Sequence, residues 1–380
     1  MNALKRYITR EKRALKEILA GLLLVFVLAM WPTGYEDAVI YQGAEQVPAT
    51  VLETDESAVI STGLIKSGEQ YCKVLIEKGI FKGQTADGIN LMSGSLESDK
   101  IFSEGDRALV TINHKDGEIL SVNMVDHYRV GKEAALSLIF VALLVLFAGL
   151  SGIRAVISFA VMVLSVWKIM IPCFLKGYNP VWTGLMLVLL FTVVIIIFVY
   201  GVNAKSASAI LGSMLGVLTA AVLGVVLTDV FMIHGAVMES SESLLYSGYA
   251  HLDLTRIFMA GIFIGASGAM IDLAVDITSG VYEVFEKRPD ISVKELTGSG
   301  LAIGRAAMGT MTATLLLAYS GGYLSLLMVF MAQGTPLINI LNYKYVSAEI
   351  LHTLVGCFGL VAVAPFTAFI SAAVIKRKAK

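Results

Sequence analysis

From residue 131 to the C-terminus the chain is a succession of apolar runs, each about 20 residues or longer and parted by short polar breaks, and one more such run stands at 15–31. A run of that length crosses a hydrocarbon core of about 30 Å when helical, and lipid tolerates only structures that satisfy their own backbone hydrogen bonds. The runs at 133–150, 153–175, 181–202, 207–237, 256–284, 301–333 and 347–375 therefore read, with 15–31, as crossings. Composition agrees: 56% hydrophobic and 16% charged residues leave little room for a soluble globular class. The expected fold class is an α-helical polytopic membrane protein with about eight transmembrane helices, and its first partner is the lipid bilayer.

A basic leader (Lys5, Arg6, Arg10, Lys12, Arg13, Lys16) precedes the first run, and Trp31-Pro32 supplies no small-residue cleavage site. Residues 1–32 thus read as a leader and an uncleaved anchor. Arg154, Lys205, the group Lys287, Arg288 and Lys294, and the basic tail 376–380 all fall on the N-terminal side of the membrane. Glu239, Glu242 and Asp253 fall on the other. The positive-inside rule then puts both termini in the cytoplasm.

Residues 33–130 break the pattern. The stretches 108–112 and 119–125 are β-rich and flank His114-Lys115-Asp116-Gly117, a hairpin signal; 71–77 reads as another strand, and 51–60 as a further one. The expectation is a small β-rich extracytoplasmic insert, OB-like or sandwich, followed by a seven-helix bundle over 131–380. It has no aromatic cluster or basic groove, so no nucleic acid partner is expected; a protein partner docking through 47–128 is. Cys72, Cys173 and Cys357 are scattered without metal-ligand spacing, so no metal and no cofactor is expected.

The most informative residues lie in the sixth crossing. Gly261, Gly265, Gly268, Asp272, Asp276, Ser279 and Glu283 recur every three or four positions and share one helix face. A carboxylate at membrane depth is costly and normally faces protein, water or a cation, and small residues let a second helix approach. The stripe therefore reads as an interior seam, facing Arg305, Gly309 and Thr312 on the seventh crossing. Helical rise sets Asp272 roughly 22 Å and Asp276 roughly 28 Å from the outer end of their crossing, and Arg305 roughly 6 Å from the inner end of its own. One expectation is an ion-coupling or gate site formed by Asp272, Asp276, Ser279, Thr278, Arg305 and Thr312. The plainer one is a helix-bundle ion pair between Arg305 and one aspartate, with Gly261, Gly265, Gly268 and Gly309 serving helix packing. Asp229 with Arg256 reads as an outer polar layer, a gate or a boundary ion pair, and Lys168 as a snorkelling cation.

Two motifs carry a resemblance. Gly265-Ala266-Ser267-Gly268-Ala269-Met270-Ile271-Asp272, followed by Gly304-Arg305, Met308-Gly309-Thr310-Met311-Thr312, Thr314-Leu315 and Ala318-Tyr319, resembles the YibE/F family of bacterial multipass membrane proteins. The resemblance implies a bacterial cytoplasmic (inner) membrane location and no particular activity. Two positions depart from the family pattern, Ala306 where an acidic residue follows the motif arginine and Ala313 where an asparagine stands.

Enzyme readings fare poorly. Gly265-Ala266-Ser267-Gly268 matches the G-x-S-G of intramembrane serine proteases, with His352 as the candidate base, but four residues in a glycine-rich helix arise easily by chance. No P-loop or dinucleotide fingerprint is present. The expected function is an ion or small-solute transporter or permease-like protein and not an enzyme; the alternative is a non-transporting scaffold or sensor whose β domain docks a partner.

Overall fold

The computed structural model describes residues 2–38, 40 and 43–379, with the side chains of 2–14 and 379 outside the description, so the leader side chains from Lys5 to Arg13 lie outside the described residues. By backbone contacts the chain divides into two compact units, 1–34 with 144–380, and 35–143.

In the smaller unit five strands, β1 (Ala44–Thr62), β2 (Ile65–Ile76), β3 (Thr85–Ser93), β4 (Arg107–Lys115) and β5 (Glu118–His127), close into a barrel in the order β1-β2-β3-β5-β4. Of the two expected architectures it is the barrel that forms. Asp116 and Gly117, both at positive φ, make the two-residue turn between paired Lys115 and Glu118, as a hairpin of this length demands. Alternating residues such as Val47, Val74, Val110 and Val122 point inward with Phe81 and Phe102 to form the core. Strand β3 carries no apolar alternation in sequence because Gly88 and Asn90 occupy two inward positions. The buried Asn90 amide nitrogen donates to Gln70 Oε1 (3.1 Å) and to the Lys100 carbonyl (2.7 Å), while its Oδ1 has no partner among the described residues, and Gln70 pairs with both backbone groups of Phe102. These bonds clamp the loop before β4 to the barrel.

Barrel carboxylates are held in their charged form. Arg107 forks onto Glu77, which also accepts from Thr50 Oγ1, and the Arg107 hydrogen bond keeps the Glu77 carboxyl below the usual range. Asp99 is lowered too, chiefly by the Ser93 backbone N–H. A carboxyl whose folded-state pKa is depressed stabilises the fold above its unfolded value, near 4.3 for Glu, and loses that contribution as pH falls. Amide exchange in β1, β2 and β4 should therefore accelerate as pH drops through the carboxylate range after correction for intrinsic exchange, and Glu77→Gln should flatten that dependence. Burial pushes the Cys72 thiol up to about 11, so it should stay inert to thiol reagents at neutral pH.

The larger unit is helical: α1 (Asn2–Met30), α3 (Leu150–Ser165), α4 (Ile171–Leu175), α5 (Pro180–Tyr200), α6 (Ala204–Val230), α7 (Ser241–Tyr246), α8 (Leu254–Lys287), α9 (Val293–Gly321), α10 (Leu324–Ala332), α11 (Leu337–Asn342) and α12 (Lys344–Ala379), while α2 (Val130–Ala148) joins the two units. Seven helical stretches among the described residues are long and apolar enough to cross a membrane: Val130–Ala148, Leu150–Leu175, Pro180–Tyr200, Ala204–Val230, Leu254–Lys287, Val293–Gly321 and Lys344–Lys378. The expected first crossing lies within α1.

Local chemistry explains the breaks. Pro172 lacks an N–H and its ring crowds the carbonyl of Lys168, so the chain widens into a π-helical turn over Val166–Met170 between α3 and α4. Gly321-Gly322 ends α9, so the apolar run 301–333 is two helices rather than one. Pro365 is carried within α12.

Helix α8 is the hub, burying more of its length than any other candidate span. Ile262, Phe263, Ala266, Met270, Leu273, Ala274, Ile277 and Val281 sink into a core shared with α5, α6, α9 and α12. The closest helix approach runs between α6 and α12: a Cβ on Gly216 would lie 3.0 Å from the Gly359 carbonyl, and one on Gly212 2.9 Å from Thr367 Cα. Gly212-x-x-x-Gly216 is the small-xxx-small signal for such contact. Gly212→Val should cost about 1–3 kcal/mol by overpacking, read as a lowered melting temperature in detergent; the same change at Gly261, which faces open space, should cost far less.

Candidate functional site

The polar stripe of α8 is real, but it points outward. Gly261, Gly265, Gly268, Asp272, Asp276, Ser279 and Glu283 are all exposed, while the rest of the helix is buried or half-buried from 258 to 282. The interior-seam expectation is corrected here: the bulky apolar residues on the other faces have more surface to bury, and four neighbouring helices take them. The stripe lies between α5 and α9. On the α5 side Gly184 packs on Phe263 and Ile264, and the Tyr200 hydroxyl donates to the Val275 carbonyl (2.5 Å). With its one proton spent there, Tyr200 Oη accepts from Ser279 Oγ at 2.5 Å. On the α9 side Gly280 meets Ile303, Ile277 meets Gly304 and Val281 meets Gly300.

These contacts set the antiparallel register of α8 and α9. Pairing 277 with 304 and 281 with 300 places Arg305 level with Asp276, so the charges do share one layer. They do not meet. Arg305 is one position on from Gly304, rotated about 100° from the contact, and is exposed. Among the described residues neither Asp272, Asp276 nor Arg305 forms an ion pair or hydrogen bond, which corrects the expected pair within one chain. Thr312 is half-buried on α9, and Thr278 is turned inward to Ser371 on α12 (3.1 Å). Gly261, Gly268 and Gly309 meet nothing within 4 Å, so they pack no helix of this chain. Tyr200 was missed in the sequence because its partner is far away on α8.

The layer expected from Asp229 and Arg256 also rearranges. Arg256 pairs with Asp253 (3.1 Å), which caps the N-terminus of α8 by accepting from the Arg256 N–H, and Asp229 is exposed without an ion pair among the described residues. The gate or boundary pair between Asp229 and Arg256 is therefore not formed; the cap holds the arginine three residues away.

A second polar cluster stands seven residues before Asp272, toward the N-terminus of α8, on the same stripe. A Cβ on Gly265 would lie 2.9 Å from Tyr319 Oη and 3.2 Å from His352 Nε2, so both atoms converge on the glycine. Both are buried and lack a hydrogen-bond partner among the described residues. The rings lie 4.7 Å apart, and His352 Nδ1 is 3.9 Å from Glu349, which the Tyr323 hydroxyl also approaches. Only glycine at 265 leaves room for this convergence. Ser267, by contrast, donates to the Ile264 carbonyl (2.7 Å) on another face, so the protease-like motif assembles no serine–histidine pair. No group of three or more metal-ligating side chains is found among the described residues.

The family model for YibE/F-like proteins matches residues 136–377, which hold both the stripe and the cluster. The chain belongs to the YibE/F-like family. Its barrel and α1 lie outside the matched segment. No curated protein and no solved structure matches the chain. The family and the apolar helices together make it a multipass membrane protein, and within the YibE/F-like bundle the matched segment begins in α2 and ends in α12.

Proposed function

We propose that this YibE/F-like protein is an ion or small-solute transporter, permease-like, of the bacterial cytoplasmic (inner) membrane, working through the polar stripe of α8. One observation carries the reading: the most deeply embedded candidate span keeps a single open face, and that face bears two unpaired carboxylates. Hydrocarbon does not solvate carboxylates, so this face needs water, a cation or protein against it. Two negative charges on adjacent turns repel, and a cation or proton between them relieves the strain. Toward the outer side the stripe passes Gly268 and reaches Tyr319 and His352 at Gly265, about 10 Å from Asp272 by helical rise. Lys205 beside Glu286 and Lys376 on the Pro289 carbonyl gather basic side chains at the end of the bundle that this orientation assigns to the cytoplasm.

In this reading the barrel, OB-type in its strand order, is extracytoplasmic and the chain performs no covalent chemistry. A scaffold or sensor role is the second reading, favoured by the barrel's being a separate compact unit outside the family-matched segment. Purified protein in proteoliposomes under imposed proton, sodium and potassium gradients, followed with ion-sensitive dyes, separates the two. Dissipation of at least one gradient is expected, and none by the wild type under any of them would leave the scaffold.

A further inference from the structure

We infer that a second copy of this chain packs on the α8 stripe at Asp276 and supplies the counter-charge that this carboxylate lacks, with Arg305 of each copy pairing to Asp276 of the other. The inference does not depend on whether solute moves.

Three observations converge on it. The first is charge complementarity: an exposed arginine on α9 and exposed aspartates on α8, each without an ion partner among the described residues, lie in candidate membrane spans where isolated charges are costly. The second is depth. The α8–α9 register sets Arg305 level with Asp276, and a twofold axis along the membrane normal keeps every residue at its own depth, so the two residues meet without tilting either copy. The third is surface shape. Gly261, Gly268 and Gly309 open onto empty space on these same helices, and small residues on an outward helix face are what let another backbone approach in lipid. The exposed Leu316 and Leu317 extend the surface along α9 with apolar contact.

The arrangement also divides the aspartates. Asp276 is taken by the partner copy's arginine, and Asp272, one turn further out, stays free for a proton or cation. The like-charge repulsion within each copy falls accordingly.

The test uses full-length protein in native membranes with Cys72, Cys173 and Cys357 replaced by alanine. Two differently tagged copies are co-expressed, one carrying Asp276→Cys and the other Arg305→Cys. Oxidation should give a reducible cross-link between the tags; Phe358→Cys, exposed on α12, should give none with Arg305→Cys. In nanodiscs, single-molecule photobleaching should count two copies for the wild type. Arg305→Glu should weaken association about 100-fold, as loss of one partner of a desolvated pair implies, and the swap Asp276→Arg with Arg305→Asp should restore it. Monomers in nanodiscs, no cross-link in membranes, or failure of the swap by a protein that still elutes as a single folded species would each overturn the inference. In that case lipid or a different chain covers the face.

Discussion

Glu17→Ala is expected to destabilise the helical unit by about 3–5 kcal/mol, among the largest effects of any single substitution in the chain. Glu17 on α1 and Arg154 on α3 form an ion pair at 3.1 Å with side chains only 13% and 17% exposed, and Arg154 Nη1 also donates to the Phe198 carbonyl on α5 (3.2 Å). Removing the carboxylate leaves a guanidinium buried against three helices. Replacing both partners should cost much less, because the penalty comes from the stranded charge and not from the missing attraction. Detergent melts of Glu17→Ala, Arg154→Met and Glu17→Met/Arg154→Met give the comparison. A double variant as unstable as the sum of the singles would contradict this account of how α1 is held.

That pair shows where sequence reading stops. Arg154 reads as a loop cation marking the cytoplasmic side, since nothing local predicts a partner as distant as Glu17. The elements themselves are legible, because apolar length specifies a crossing and Asp116-Gly117 specifies a hairpin whatever surrounds them. Strand β3 is not, because its inward Asn90 breaks the apolar alternation and its amide nitrogen is held by Gln70 and Lys100 of other segments.

The stripe of α8 is the instructive case. Periodicity identifies which residues share a face, and Gly261 to Glu283 do share one. It does not say which way the face points. Direction is decided by competition among all faces for neighbours, and Phe263, Met270, Leu273 and Ile277 on the other faces win that competition. The same limit explains Arg305, which sequence places in the right layer but not on the right flank of α9. His352 is visible in the sequence only as the candidate base of the G-x-S-G match. Its convergence with Tyr319 on Gly265 joins three helices that no local pattern connects.

The second large effect concerns that stripe. Asp272 is the carboxylate nearer the middle of α8, exposed and without a hydrogen bond or ion pair among the described residues. Its neutral isostere keeps size and removes charge, so the fold should survive while coupling fails. The decisive measurement is gradient-driven flux in proteoliposomes for wild type, Asp272→Asn and Lys287→Ala, the last being an exposed residue at the end of α8. The account predicts that Asp272→Asn lowers flux by about 100-fold or more, the order expected when a proton- or charge-bearing group is lost from its site, while Lys287→Ala retains it. Wild-type flux in a folded Asp272→Asn protein would contradict the claim that the α8 stripe is the working face.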